Sequence, residues 1–185
     1  HHAEAGKPGG FCIFNNVMVG VAHAQAKYGL QRVAVLDFDV HHGNGGAEIS
    51  FCDPTRMYAS SFEAGIYADD GVERGCDGLH GQSINAPLPT GCGSKAFRRA
   101  WAEELLPAVK AFDPEALFLS AGFDAHADDT MSSLQLREDD FAWLTAEAAA
   151  LGGGRLPIIS VLEGGYNLDA LVASAREHVR ALIHS

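Results

Sequence analysis

Residues 33–45 read Val33-Ala34-Val35-Leu36-Asp37-Phe38-Asp39-Val40-His41-His42-Gly43-Asn44-Gly45, and this stretch decides how the chain is to be understood. Val33 to Leu36 have the make-up of a buried strand, which then runs into three alternating side chains able to bind a metal. Residues two apart in an extended strand share a face, so the spacing predicts that Asp37, Asp39 and His41 point the same way at a strand end. Two ionised carboxylates held together repel unless something positive sits between them, and a divalent cation bound by oxygen and imidazole nitrogen supplies it. Asp, His, Gly and Asn also make ordinary solvated loops. The rest of the chain argues against that plainer reading.

A second apolar run, Ala116-Leu117-Phe118-Leu119-Ser120, ends in Ala121-Gly122-Phe123-Asp124-Ala125-His126 and offers a further carboxylate. A third, Pro157 to Leu162, ends in Glu163-Gly164-Gly165-Tyr166-Asn167. The chain opens on His1-His2. Helical spacing over residues 15–28 puts Val17, Val21, Ala24 and Tyr28 on one side, with Gly29 as the stop. Ser94 is expected to cap a helix over 95–112 with Phe97, Trp101, Leu105 and Val109 on its buried face. Helices follow over 138–151 and 168–183, and a short strand over 57–60. Residues 63–90 show no clear period and read as a long functional loop. Strands alternating with helices predict an α/β fold, a parallel sheet covered on both faces, whose sites collect at the carboxyl ends of the strands.

A length of 185 residues is about one domain, and 47% hydrophobic content is enough for a core. A net charge of −11 disfavours binding to a nucleic-acid backbone and favours cationic substrates. No apolar stretch approaches the ~20 residues of a membrane span. Cys12, Cys52, Cys76 and Cys92 form no Cys-x-x-Cys pair, so neither a zinc ribbon nor a disulfide framework is expected, and a reducing, cytoplasmic compartment fits best. The missing initiator Met, with the start on His1-His2, reads as a chain lacking its N-terminal portion. Oligomeric state is not readable from the sequence.

His1-His2, Gly10-Phe11-Cys12, Asp37 to Gly45, Ser120 to Ala125 and Leu162 to Asn167 are five separated motifs in one order, and through them the chain resembles the histone deacetylase family. That family includes acetylpolyamine amidohydrolases and bacterial deacetylases; Asn44 and Glu163 make the chain more similar to its class II and bacterial branches. The resemblance implies a three-layer arginase/deacetylase-like fold, with residues 1–185 as a single, partial catalytic domain. It implies that Asp39, His41 and Asp124 bind one catalytic zinc ion, a donor set that also accepts iron(II) or cobalt(II). His1 and His2 look like the family's tandem histidines, with Asp37 partnering His1 and Asn44 partnering His2, the general base. Tyr166 would donate its hydroxyl to the oxyanion. Phe11 and Tyr67 would wall a tunnel for the acyl-lysine stem, completed by Gly10 and Gly164. A structural potassium ion would use Asp37, Ser60 and Ser61 with the carbonyls of Asp39 and His41.

The implied reaction is deacetylation of acetyl-lysine in proteins or of an acetylpolyamine. Two other readings stand beside it: an arginase-like dimanganese hydrolase, and an idle module that binds acetyl-lysine or serves as a scaffold. The chain departs from the family at the tunnel mouth, where Ile66-Tyr67-Ala68-Asp69-Asp70-Gly71 replaces the usual aromatic-Pro-Gly-Thr-Gly, and at Phe62-Glu63, where His-Gln is usual. Glu163 is expected to shape the turn before Tyr166 without touching substrate. His80, His126 and His178 match no role and read as surface or satisfied polar residues.

Overall fold

The computed structural model describes residues 1–184. Six strands form one sheet in the order β3-β4-β2-β1-β5-β6: β1 (Val33–Asp37), β2 (Arg56–Glu63), β3 (Gly75–Asp77), β4 (Ser83–Leu88), β5 (Ala116–Ala121) and β6 (Ile158–Leu162). Every pairing is parallel except β3 with β4, so the expected parallel sheet carries one antiparallel edge. β1 and β5 are buried at every position, as central parallel strands with both faces covered must be.

Alternation along these strands divides the core in two. Val33 and Val35 of β1, Tyr58 and Phe118 face Val17, Met18, Val21 and Ala24 of α1 (Asn16–Tyr28). Ala34, Leu36, Leu117 and Leu119 point the other way, into a larger cluster with Phe97, Trp101, Leu105 and Phe141. That second layer is built from α3 (Ser94–Ala100), a π-helical turn (Trp101–Leu105), α4 (Leu106–Phe112) and α5 (Glu138–Ala150), with α6 (Leu168–Ile183) packed against α5. A short α2 (Asn44–Ser50) follows the metal-competent stretch.

Four sequence expectations change. The helix over 95–112 is interrupted by the π turn just before Pro107, which has no N–H to continue the ladder; Leu106 N bonds instead to Trp101 O. Ser94 caps nothing, since its hydroxyl donates to Asp140 Oδ2 at 2.7 Å and Gly93 stands at the N-cap. Tyr28 is exposed because it ends α1 beyond the part that crosses the sheet, and Met18 takes its place in the core. Residues 63–90 hold β3 and β4, not an unbroken loop. Ile84, Ala86 and Leu88 do alternate, but they flank Pro87, a residue that strand interiors rarely hold. The structure tolerates that proline because β3 pairs only with Ser83 to Asn85, so Pro87 has no strand partner on that side and its carbonyl accepts from Arg74 Nη2 at 2.7 Å instead.

Candidate metal centre

β1 ends at Asp37, so Asp39 and His41 lie beyond the strand and not along it. They converge by a different device. Asp37 Oδ1 accepts the N–H of Asp39 at 3.1 Å, and Asp39 Oδ1 accepts the N–H of His41 at 2.8 Å, so each carboxylate folds the chain back over itself. Asp124, three residues past β5, arrives from the adjacent strand end, and its Oδ1 accepts Val40 N at 2.9 Å. The result is one buried cluster, Asp39, His41 and Asp124, whose ligand atoms all lie within 4.8 Å of one another. Among the described residues it is the one group of three or more such side chains that could hold a metal.

The cluster fits a cation in two further ways. Asp124 Oδ2 is buried with no hydrogen-bond partner among the described residues, 3.2 Å from His41 Nδ1. Gly164 lies so close that a Cβ there would overlap Asp124 and Asp39, so glycine keeps the space between them open. The electrostatics agree. Burial and repulsion from Asp39 push the Asp124 carboxyl up to about 7. Burial works against a charged His41, but the adjacent Asp124 and Asp39 carboxylates prevail and raise it to about 9.

Above the cluster sit the tandem histidines. His1 Nδ1 is 2.7 Å from Asp37 Oδ2, and His2 Nδ1 is 2.9 Å from Asn44 Oδ1. The partners divide their charge states. Burial opposes an imidazolium at His1, yet Asp37 and Asp39 raise its pKa well above the ordinary value. His2, desolvated and beside a charged His1, is pulled down to about 4 and stands neutral at pH 7. Tyr58 OH shares Asp37 Oδ2 through a very short contact, a partner the sequence analysis missed. Tyr58 reaches Asp37 from β2, where it lies opposite Val35, and no signal in the sequence marks it.

Two adjoining cavities of about 390 Å³ each open on this cluster. The first reaches Asp39, Gly164 and Glu163; the second is walled by Tyr67 and Met131, and both touch His2, Gly10, Phe11, His41 and Tyr166. The Tyr67 ring stands edge-on to His2, centroids 5.0 Å apart. Phe11 is 88% exposed and holds a left-handed φ of 65°, so neither burial nor backbone preference explains it. Met131 was not singled out from sequence; it lies seven residues past Asp124 in a loop without periodicity. Glu163 lines the first cavity as well as the turn, its carboxyl pushed up to about 7 by burial and by Asp37 and Asp39. Ser60 is fully buried and its hydroxyl has no hydrogen-bond partner among the described residues, and Ser61 Oγ accepts from Trp101 Nε1 at 2.9 Å.

The unassigned histidines divide. His80 is exposed. His126 and His178 are buried: His178 is a satisfied polar residue, as expected, with both ring nitrogens bonded, to Thr145 and Ser160, whereas His126 is only half satisfied, its Nδ1 accepting from Asp128 N and its Nε2 without a hydrogen-bond partner among the described residues.

A mostly parallel α/β sheet that gathers two carboxylates, an imidazole and a histidine pair at its strand ends defines the class of deacetylase-type α/β scaffolds. Within it, the chain belongs to the histone deacetylase family: residues 1–182 match the histone deacetylase domain. It is 41% identical over 189 residues to the chloroplastic histone deacetylase 10 of Oryza sativa subsp. japonica, covering 99% of this chain and 42% of that protein. Among solved structures, the HDA15 HD domain superposes with a TM-score of 0.91 at 33% identity, over 100% of this chain and 55% of the other. An acetylpolyamine aminohydrolase from Burkholderia pseudomallei gives 0.88 at 36% identity, over 98% and 53%. The chain thus spans about half the length of each of these three proteins.

Proposed function

We propose that this chain carries the chemical centre of a zinc-dependent amidohydrolase that removes acetyl groups from acetyl-lysine side chains or acetylpolyamines. The observation that carries the reading is the buried Asp39–His41–Asp124 cluster, whose Asp124 Oδ2 has no hydrogen-bond partner among the described residues and whose Asp39 and His41 line a cavity together with His2 and Tyr166. Zinc held there by these three residues would polarise the amide carbonyl and acidify water.

The remaining roles fall to this chain's own side chains. His2, neutral beside Asn44, takes the proton of the attacking water and returns it to the leaving amine. His1, held charged by Asp37, lowers the proton affinity of His2 and adds positive potential to the site. Tyr166 donates to the carbonyl oxygen as it gains charge. Phe11 and Tyr67, with Gly10 and Gly164, line the way in for an apolar acyl-lysine stem. The Ser60 hydroxyl, without a hydrogen-bond partner among the described residues, beside Ser61 and near Asp37, supports a structural potassium ion in the place the family resemblance implies. Four free thiols, Cys12, Cys52, Cys76 and Cys92, support a reducing, cytoplasmic setting. Among the described residues no helix is long and apolar enough to cross a membrane.

The test is turnover of a fluorogenic acetyl-lysine peptide and of acetylputrescine by zinc-loaded full-length protein, with Tyr166→Phe as control. Turnover that falls at least about a hundredfold in the control is expected. Protein shown to hold one zinc that turns over neither substrate would sink the proposal.

A further inference from the structure

Tyr166 follows Gly164-Gly165, and Gly165 adopts a φ of 138°. Two successive glycines give the approach to the tyrosine little restraint of its own. The restraint comes from a different strand end. Asp129 is buried in the loop that begins at Asp124. Its Oδ2 accepts the backbone N–H of Tyr166 at 2.6 Å and of Asn167 at 3.0 Å. Its Oδ1 accepts the N–H of Met131 at 2.9 Å, and Asn167 Nδ2 donates to the Asp128 carbonyl at 2.8 Å.

We propose that Asp129 is a positioning residue that fixes the Tyr166 hydroxyl donor and the Met131 cavity wall relative to the metal ligands. The inference rests on the deacetylase reading and extends it to a residue that touches no substrate. One carboxylate spans two of the loops that build the site, so the ligand Asp124 and the donor Tyr166 keep register with each other. Both oxygens must be acceptors. An amide in the same place offers one acceptor and one donor, and either orientation sets N–H against N–H. Asp129→Asn is therefore a disruption with almost no change in volume.

The experiment uses zinc-loaded full-length protein with the acetyl-lysine peptide. Asp129→Asn is expected to lower kcat about tenfold or more, the scale of a small misplacement in an active site, and to raise KM a few-fold with zinc content unchanged. In a Tyr166→Phe background the kcat loss shrinks to less than about twofold, because the donor it acts through is gone, while the KM rise persists through Met131. Equal kcat losses in both backgrounds would overturn the proposal. Hydrogen exchange of the 166 and 167 amides gives a second readout that needs no turnover, expected to speed about tenfold or more in the variant; unchanged protection overturns the proposal as well. If the wild type deacetylates nothing, the functional reading fails while hydrogen exchange still decides whether Asp129 holds Tyr166. Should Asp129→Asn not fold, Asp129→Ser carries the same measurements.

Discussion

Asp124 Oδ2 and His41 Nδ1 face each other 3.2 Å apart, and the oxygen is buried without a hydrogen bond from any described residue. A buried carboxylate oxygen without a hydrogen bond costs stability unless a positive charge reaches it, here the His41 imidazolium or a cation that takes the place of its proton. Gly164 makes room for that, since any side chain there would fill the space beside Asp124 and Asp39. Gly164→Ala is therefore expected to weaken zinc binding at least about a hundredfold, more than loss of an outer hydrogen-bond partner usually costs, and Asp124→Ala to abolish stoichiometric binding. Equilibrium dialysis with metal analysis measures both. Wild-type affinity in Gly164→Ala would remove the cluster as the metal site.

Phe11 is strained and exposed at once. A side chain in the left-handed region costs on the order of 1–2 kcal/mol, and an 88% exposed ring recovers little of it by burial. Phe11→Gly relieves the strain and loses part of the gain to the entropy of a freer unfolded chain. The variant should match or exceed wild-type stability by up to ~1 kcal/mol in urea titration. Its KM for the acetyl-lysine peptide should rise about tenfold, as expected for a lost apolar contact worth about 1.4 kcal/mol. A less stable variant with unchanged KM would assign Phe11 to the fold and not to the cavity.

These outcomes bear on what the residues alone reveal. The centre was legible because its ligands sit where apolar runs stop, and Leu36-Asp37 and Ser120-Ala121 mark strand ends whatever happens next. How the ligands converge was not legible. Asp39 and His41 meet Asp124 through side-chain acceptors that fold the backbone after β1, which the two-residue periodicity of a strand does not describe. Strand β4 was hidden for a local reason, Pro87, whose cost vanishes only because its neighbour β3 is so short. Asp129, Tyr58 and Met131 escaped because each acts through a tertiary partner distant in sequence, and nothing local distinguishes them from a loop acid, a strand aromatic and a loop methionine.

The pairing of His2 with Asn44 suggests a directed change in pH dependence. Asn44 Oδ1 lies 2.9 Å from His2 Nδ1, and a neutral partner leaves His2 at about 4 under the pull of burial and charged His1. A carboxylate at that position favours the imidazolium, so Asn44→Asp raises the proton affinity of His2. The base must be neutral to accept a proton, so the acid limb of kcat/KM should move to higher pH, by one unit or more on the order of a buried ion pair's effect. An acid limb that stays in place in the full-length, zinc-loaded variant would deny His2 the role of base.

His178 ties stability to pH away from the chemistry. It is 4% exposed, its ring nitrogens lie 2.6 Å from Thr145 Oγ1 and 2.8 Å from Ser160 Oγ, and it packs against Phe38 and Phe123, which adjoin the candidate ligands Asp39 and Asp124. Burial alone lowers it from 6.5 to about 4. The unfolded chain therefore binds the extra proton between pH 6.5 and about 4, so the contribution of His178 is complete above that window and is lost as pH falls through it. The shift corresponds to roughly 3 kcal/mol. His178→Gln keeps a polar group between the two hydroxyls and removes the titration. Urea unfolding at pH 7 and pH 4.5 should show the wild type losing about 2–3 kcal/mol more than the variant on acidification. Parallel losses would mean that the acid sensitivity of the fold lies in its carboxylates, and that the His178 bridge between α5, α6 and β6 opens without protonation.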